Sequence, residues 1–400
     1  MPTPLSFGRR FALVGIFWMA VPGLWCLIRF HDLLNRLRGR RRGCGHPNVI
    51  TVFQAYMVGD LFMALPALKI LQDNLPQGKT LQVLCRPDCE EFLRRQGYVA
   101  RGFKHPWFAS HRPAAFWASL RQARALRGEA GASALDTYGD PRTAFLLRIM
   151  GICEVVSYRH AHAAFFTNFF ALPPAIHHQV DRNTEGAKQY LEMKGWSARS
   201  GKGDEGKWRS HPVSLIENTK SEELPRPGDL LISAWTRKDT KNWPLPYWDK
   251  LLTLLLSQGI GFSLIDPPDG DEAWRTFAQT WQTKVPLLRL SLLDLWHALG
   301  NYRVVVTQDN FLGHMAASAG KPVFWLNGSS DPGEVSPKGP LGQYTEIMHI
   351  EDMPCRPCAH RCTEVRHAHC LTDLPVEAVW PRLWNFIDRT GQGNASTTAG

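Results

Sequence analysis

Short apolar, β-branched runs alternate with helically spaced segments twice along this chain, and that alternation constrains the fold more than any other feature. Residues 48–53 form a compact run around Val49, Ile50 and Val52, which predicts a buried strand. The run ends at Val58-Gly59-Asp60, and residues 61–74 then take helical spacing with Pro66 near the start. Strands are predicted at 81–85, 132–137 and 155–156, with helices at 89–96 and 141–150. After a break the alternation resumes, with strands at 230–233, 262–265, 304–307 and 323–326 and helices at 246–258, 292–299, 314–319 and 376–387. Such a pattern implies parallel sheets wrapped by helices, an α/β class with two doubly wound domains. Ligands of open parallel sheets bind beyond the strand C-termini, so a cleft between the domains is the expected site.

The break itself, around 198–229, is rich in Gly, Ser, Lys, Glu and Pro and reads as a linker. A chain of 400 residues accommodates two domains that each bury a sizeable core. The expected division is an apolar and basic segment at 1–45, a first domain at 46–200, a linker at 201–228, a second domain at 229–388 and a disordered tail at 389–400.

Residues 11–28 carry no charge and are largely apolar, with Arg9 and Arg10 before them and Arg29 after. Their length is near the minimum for a bilayer span. A basic cluster follows (Arg36, Arg38, Arg40, Arg41, Arg42), which would hold the rest of the chain at the cytoplasmic side. Pro22 also admits a helix lying in the membrane plane, and a buried structural helix is the alternative. The net charge of +10 comes without a nucleic-acid-binding module, so nucleic acid is not an expected partner. A membrane surface or a phosphorylated substrate suits the charge better.

Four stretches carry candidate chemistry. At Gly59-Asp60 a glycine permits close approach to the backbone, and a carboxylate could take a proton from a sugar hydroxyl. Capping of the following helix is an equally good account of Asp60 on spacing alone. Residues 236–244, with Thr236 and Lys241, supply hydroxyls, a cation and a helix start, the parts needed to hold a diphosphate. A solvated basic loop is the plainer alternative. Residues 309–314 (Asp309, Asn310, Phe311, Leu312, Gly313, His314) form another strand-to-helix turn whose N–H groups could meet a phosphate, or which could simply cap its helix. Finally, Cys355, Cys358, Cys362 and Cys370 lie within sixteen residues, among His360, His367 and His369. Soft ligands so close together could close a zinc site, but the spacing matches no common finger, and no metal is assigned. The other five of the nine cysteines are scattered and do not suggest a disulfide framework.

Taken in order, these stretches resemble family 9 of the glycosyltransferases, the group of the lipopolysaccharide heptosyltransferases. The resemblance runs through Gly59-Asp60, Leu65-Pro66-Ala67-Leu68, Gly139-Asp140-Pro141-Arg142-Thr143, Lys241-Asn242-Trp243-Pro244, Asp309 with His314-Met315-Ala316-Ala317, Gly320-Lys321-Pro322-Val323 and Pro354-Cys355-Arg356-Pro357-Cys358. It covers roughly residues 48–385.

The resemblance implies a GT-B architecture, two Rossmann-like domains facing across a cleft. The first would take a lipid-linked glycan acceptor and the second a nucleotide sugar, most simply ADP-heptose. It implies inversion at the anomeric carbon with neither metal nor cofactor. Asp60 would be the catalytic base, with Gly59 on the acceptor side. Thr236, Lys241, Asp309, Asn310, Gly313 and His314 would hold the donor, and the enzyme would work at the cytoplasmic face of the inner membrane. One departure stands out: Asn310-Phe311 replaces the family's usual Ser or Thr followed by Gly. A non-catalytic binding or scaffold protein on the same fold is the alternative function. A dehydrogenase is disfavoured, because no Gly-x-Gly-x-x-Gly follows the first strand.

Overall fold

The computed structural model describes residues 45–104, 113–158, 168–196, 229–339, 345–351 and 369–392, with Gly23, Cys26, Met353, Cys355 and Cys358 as isolated positions. The predicted linker at 201–228, nearly all of the apolar segment at 11–28, and Cys362 lie outside these residues.

The first sheet is built from β1 (His46–Gln54), β2 (Thr80–Cys85), β3 (Val99–Gly102), β4 (Gly131–Asp136), β5 (Glu154–Ser157) and β6 (Asn168–Phe169). Its strand order is β3-β2-β1-β4-β5-β6, parallel throughout. The crossovers carry α1 (Val58–Asn74), α2 (Glu90–Arg95), α3 (Pro113–Ala125) and α4 (Pro141–Ile149), and α5 (Gln179–Met193) follows the last strand. Phe53, Leu84, Phe103, Leu146, Leu147 and Val155 are among the buried residues of its core. Strands buried on both faces read as continuous apolar runs, which is why β1 and β2 were legible without alternation.

The second sheet holds β7 (Leu230–Ser233), β8 (Phe262–Ile265), β9 (Leu287–Leu288), β10 (Val304–Gln308), β11 (Val323–Leu326) and β12 (Thr345–Met348). Its order, β12-β11-β10-β7-β8-β9, is the same winding read from the other edge, again parallel. Its helices are α6 (Leu245–Ser257), α7 (Glu272–Trp281), α8 (Leu292–Ala298), α9 (Phe311–Ser318), α10 (Pro332–Val335), α11 (His369–Thr372) and α12 (Val376–Gln392). Among the described residues six tryptophans are fully buried (Trp243, Trp248, Trp274, Trp281, Trp296, Trp325), so much of the tryptophan content builds core. In both sheets the strand order reverses at the centre, between β1 and β4 and between β7 and β10, where open parallel sheets form their ligand crevice.

The chain divides into two compact units, and the division does not follow the linker. The first comprises Met1–Met57, Ala67–Pro174 and Thr184–Arg199. The second comprises Val58–Pro66, Ala175–Asn183 and Ser200–Gly400. Two segments that precede the linker in sequence therefore count with the second sheet.

Two local expectations need correction. α1 starts at Val58, so Asp60 sits inside its first turn and is not the residue before it; an acidic side chain there is favoured by the helix dipole. α12 runs to Gln392, past residue 389 where the tail was expected to begin. Separately, Cys153 is disulfide-bonded. No helix among the described residues is long and apolar enough to cross a membrane.

Candidate functional site

All the candidate site residues fall in the second unit. Its central reversal lies between β7 and β10, and the loops leaving those two strands carry most of them.

The loop after β7 is organised by its own polar side chains. The Thr236 N–H donates to Asn242 Oδ1 at 2.7 Å, and Asn242 Nδ2 returns a bond to the Thr236 carbonyl at 3.0 Å. The Thr236 hydroxyl donates to the Lys238 carbonyl at 3.0 Å and accepts from the Lys238 N–H at 3.2 Å. Thr236 thus shapes a tight turn leading into a single 3-10 turn at Asp239–Lys241. Gln308, fully buried at the end of β10, accepts the Trp243 N–H at 2.6 Å and donates to Asn242 Oδ1 at 2.9 Å. Trp243 anchors the loop to the core through its indole N–H, which reaches the Leu374 carbonyl at 2.8 Å. Gln308 was missed in the sequence because nothing local marks a strand-end glutamine as a loop clamp.

This scaffold presents Lys241. Its Nζ lies 2.7 Å from Asp309 Oδ2, and only 17% of the lysine side chain and 5% of the aspartate side chain are exposed. The Ser330 hydroxyl donates to the same Asp309 oxygen. Burial pushes the Asp309 carboxyl up, but the Lys241 charge and these hydrogen bonds outweigh it and hold it below the usual carboxylate range. An enclosed carboxylate is a poor direct ligand for phosphate, since the charges repel. The ion pair with Asp309 fixes where the Lys241 ammonium lies. Lys238 also feels this centre: partial desolvation, then the charge on Lys241, draws its ammonium below the usual range. Two neighbouring cations with one carboxylate between them leave a net positive spot.

Asn310 is the N-cap of α9, its Oδ1 accepting the Leu312 N–H at 2.9 Å. The same oxygen accepts the Thr307 hydroxyl at 2.9 Å, and Nδ2 donates to Ser233 Oγ at 2.9 Å. The unusual Asn-Phe pair therefore starts the helix three residues before His314, where the sequence placed its beginning. Gly313 lies in the first turn of α9 with its bare face inward: a Cβ there would stand 3.0 Å from Pro337 Cγ and 3.2 Å from Thr307 Cγ2. Its smallness serves packing.

His314 is enclosed, and burial holds its imidazole down to about 4, so the ring is neutral at physiological pH. Its buried Nδ1 has no hydrogen-bond partner among the described residues. Opposite the ring lies Gly59: a Cβ on that glycine would sit 3.1 Å from His314 Cδ2 and 3.8 Å from Phe311 Cα. Gly59 was expected to admit a ligand to the backbone, but the approach it permits is that of His314 and the start of α9. The consequence is that Asp60, the next residue, stands at a helix start packed on the turn that carries Asp309.

The first unit holds a polar cluster that the sequence did not single out. Asp136, ending β4, accepts the Tyr56 hydroxyl and the Tyr138 N–H at 3.0 Å each through Oδ1. The Tyr56 oxygen also lies 2.7 Å from Thr143 Oγ1. Burial pushes the Asp136 carboxyl up to about 7 despite these donors. The only sequence signal was an aspartate closing an apolar strand.

Of the cysteine set, Cys355 is exposed, Cys358 is half-buried and Cys370 packs in the core of the second sheet. Among the described residues no three His, Cys, Asp or Glu side chains converge as a metal-holding group.

The family model for glycosyltransferase family 9 (heptosyltransferase) matches residues 119–369, more than half of the chain. Lipopolysaccharide heptosyltransferase 1 of Salmonella typhimurium is 29% identical over 105 residues, 26% of this chain and 33% of that protein, so the match spans about a third of the relative's length. An E. coli heptosyltransferase solved with ADP-2-deoxy-2-fluoro heptose superposes with a TM-score of 0.61 at 18% identity, covering 84% of this chain and 99% of that one. A family 9 glycosyltransferase from Veillonella parvula gives 0.63 at 16% identity, covering 86% and 98%. At such identities the structural likeness establishes the fold, that of the GT-B heptosyltransferases. With the family model matching more than half of the chain, from β4 of the first sheet through the whole second sheet, the chain belongs to glycosyltransferase family 9, the heptosyltransferases.

Proposed function

We propose that the protein is an inverting, metal-independent glycosyltransferase that moves heptose from an ADP-linked donor onto a lipopolysaccharide-type acceptor at the cytoplasmic face of the inner membrane. The observation that carries the reading is one contact: Gly59 packed against His314, which brings the Asp60 turn onto the turn holding Asp309 and, through it, Lys241. A base and an enclosed cation on adjoining turns are what glycosyl transfer to a hydroxyl requires.

In this reading Asp60 takes the proton from the acceptor hydroxyl as its oxygen attacks the anomeric carbon. The new carbon–oxygen bond forms on the face opposite the departing diphosphate, so the configuration inverts. The bond to the diphosphate breaks, and its electron pair leaves with ADP. Lys241 offsets the charge that develops there, helped by Lys238 and the N-terminus of α9. Asp309 keeps Lys241 aimed, and the neutral His314 adds no competing charge. Support for the donor includes the family's solved relatives, one of which was crystallised with an ADP-heptose analogue. Support for a membrane-side, phosphate-bearing acceptor is the net charge of +10 with its arginine cluster before residue 45.

The test is transfer assayed with ADP-heptose and other nucleotide sugars, alongside calorimetric titration of ADP. Asp60→Asn is expected to lower turnover by about a thousand-fold while ADP affinity stays within about three-fold of the parent. Retained turnover overturns the base assignment, and absence of binding to any nucleoside diphosphate overturns the transferase reading in favour of a scaffold.

A further inference from the structure

α1 carries a proline in its body, Pro66, two turns after its start at Val58. Proline has no N–H, so the Phe62 carbonyl, four residues back, loses its helical partner, and the ring pushes that carbonyl outward. The Phe62 carbonyl is not left unmet. The Ser318 hydroxyl, in the last turn of α9, donates to it at 3.1 Å in a buried setting. The next carbonyl, Met63, accepts from Asn183 Nδ2 at 3.1 Å. Asn183 is in turn fixed by Gln179 Nε2 at 2.7 Å, and its segment by the pairs Arg182–Glu334 at 2.8 Å and Lys338–Asp181 at 2.6 Å. The Phe62 ring stacks on Trp296, with centroids 6.1 Å apart and planes 8° from parallel.

We infer that Ser318 and Asn183 are positioning residues for the reaction: by taking the Phe62 carbonyl, which Pro66 leaves without a helical donor, and the Met63 carbonyl beside it, they hold the Asp60 turn in register with the Asp309–Lys241 turn at the other end of α9. The inference rests on Asp60 being the base. An unbroken helix would satisfy the Phe62 carbonyl internally and leave the Ser318 hydroxyl no acceptor there. The proline turns a helical carbonyl into a docking point, and the unit boundary between Pro66 and Ala67 falls at that residue.

The geometry provides a decisive cycle of variants. Ser318→Ala is expected to lower kcat about ten-fold with the donor KM within about two-fold of the parent, because the base is misplaced and the donor turn is untouched. Ser318→Thr, which keeps the hydroxyl, restores most of kcat. Pro66→Ala gives residue 66 an N–H for the Phe62 carbonyl, so Ser318→Ala added to Pro66→Ala costs much less than Ser318→Ala alone. Amide exchange across residues 60–66 reports the same docking without turnover. Exchange there should quicken in Ser318→Ala and return toward the parent rate in the double variant. An unchanged kcat and unchanged exchange in Ser318→Ala, or an equal loss in both backgrounds, overturns the inference. If exchange responds as described but Asp60→Asn keeps its turnover, the docking stands and the base assignment fails.

Discussion

The Asp309 carboxylate and the Lys241 ammonium close on each other at 2.7 Å inside the second unit, each the other's main charge partner. A pair so enclosed is held by mutual need, and removing either member leaves the other uncompensated. Lys241→Met should therefore destabilise the fold by roughly 3–5 kcal/mol, because Asp309 stays buried and charged. The double change Lys241→Met with Asp309→Asn should cost much less, while both proteins lose ADP binding. Denaturant unfolding and calorimetry on the set separate the two effects; equal stability losses for the single and double variants would show that the pair is not coupled.

Asp136 and His314 respond to pH in opposite senses. The Asp136 carboxyl is pushed up by burial to about 7, against an ordinary 3.8, so the fold holds more protons than the unfolded chain between those values. Its contribution to stability falls as pH rises through that window. Asp136→Asn retains an oxygen for Tyr56 and Tyr138 and removes the charge. Its melting temperature relative to the parent should rise steadily between pH 5 and pH 8, tracking the carboxyl near 7.

For His314 the imidazole is held down by burial to about 4, against 6.5, so the unfolded chain binds the extra proton first. Stability from this group is complete above 6.5 and drains away as pH falls toward 4. A His314→Gln variant should show a flatter stability profile across that acid range, read by thermal unfolding in a buffer series. An unchanged slope would mean that the ring is not desolvated as described.

Gly59→Ala places a methyl 3.1 Å from His314 Cδ2, closer than a well-packed contact tolerates. Overpacking of this size costs roughly 1–3 kcal/mol, and the strain falls on the turn bearing Asp60. Turnover should drop further than stability alone explains, with ADP affinity little altered. Steady-state kinetics with direct ADP titration would expose the opposite pattern, a loss of ADP affinity at normal kcat, which would place a ligand where His314 is.

Asn310→Ala should lower stability by about 2 kcal/mol, the upper range for an N-cap. The excess over an ordinary cap comes from the Thr307 and Ser233 hydroxyls that lose their shared partner. Asn310→Ser, closer to the family's usual residue, should recover the cap but not the bond to Ser233.

The α/β class and the double winding were legible because buried parallel strands are compact apolar runs; β7, β8 and β11 fall at the predicted bounds. α7 was readable yet unread: Trp274, Phe277, Ala278 and Trp281 are buried at helical spacing after an Asp271 N-cap. α5 hid behind its polarity and the internal Gly186, which gives room to the Tyr158 ring. In the site, Lys241 and Asp309 could be named individually, but their pairing depends on strands whose partner residues, such as Leu230 and Val304, are 74 positions apart meeting in one sheet, which no local pattern encodes. Gly59 was read for a ligand's approach because the bulk that approaches it, His314, is remote in sequence.

The bond from Ser318 to the Phe62 carbonyl joins residues 256 positions apart. On a ribosome the exposed carbonyl of α1 is made long before the hydroxyl that will meet it. The strands β2 to β6 of the first sheet and β7 to β10 of the second emerge in between. A truncated chain lacking α9 would have its first sheet intact and the Asp60 turn undocked. Reactivity would thus arrive late in synthesis, when the last turn of α9 leaves the exit tunnel and the base is finally seated.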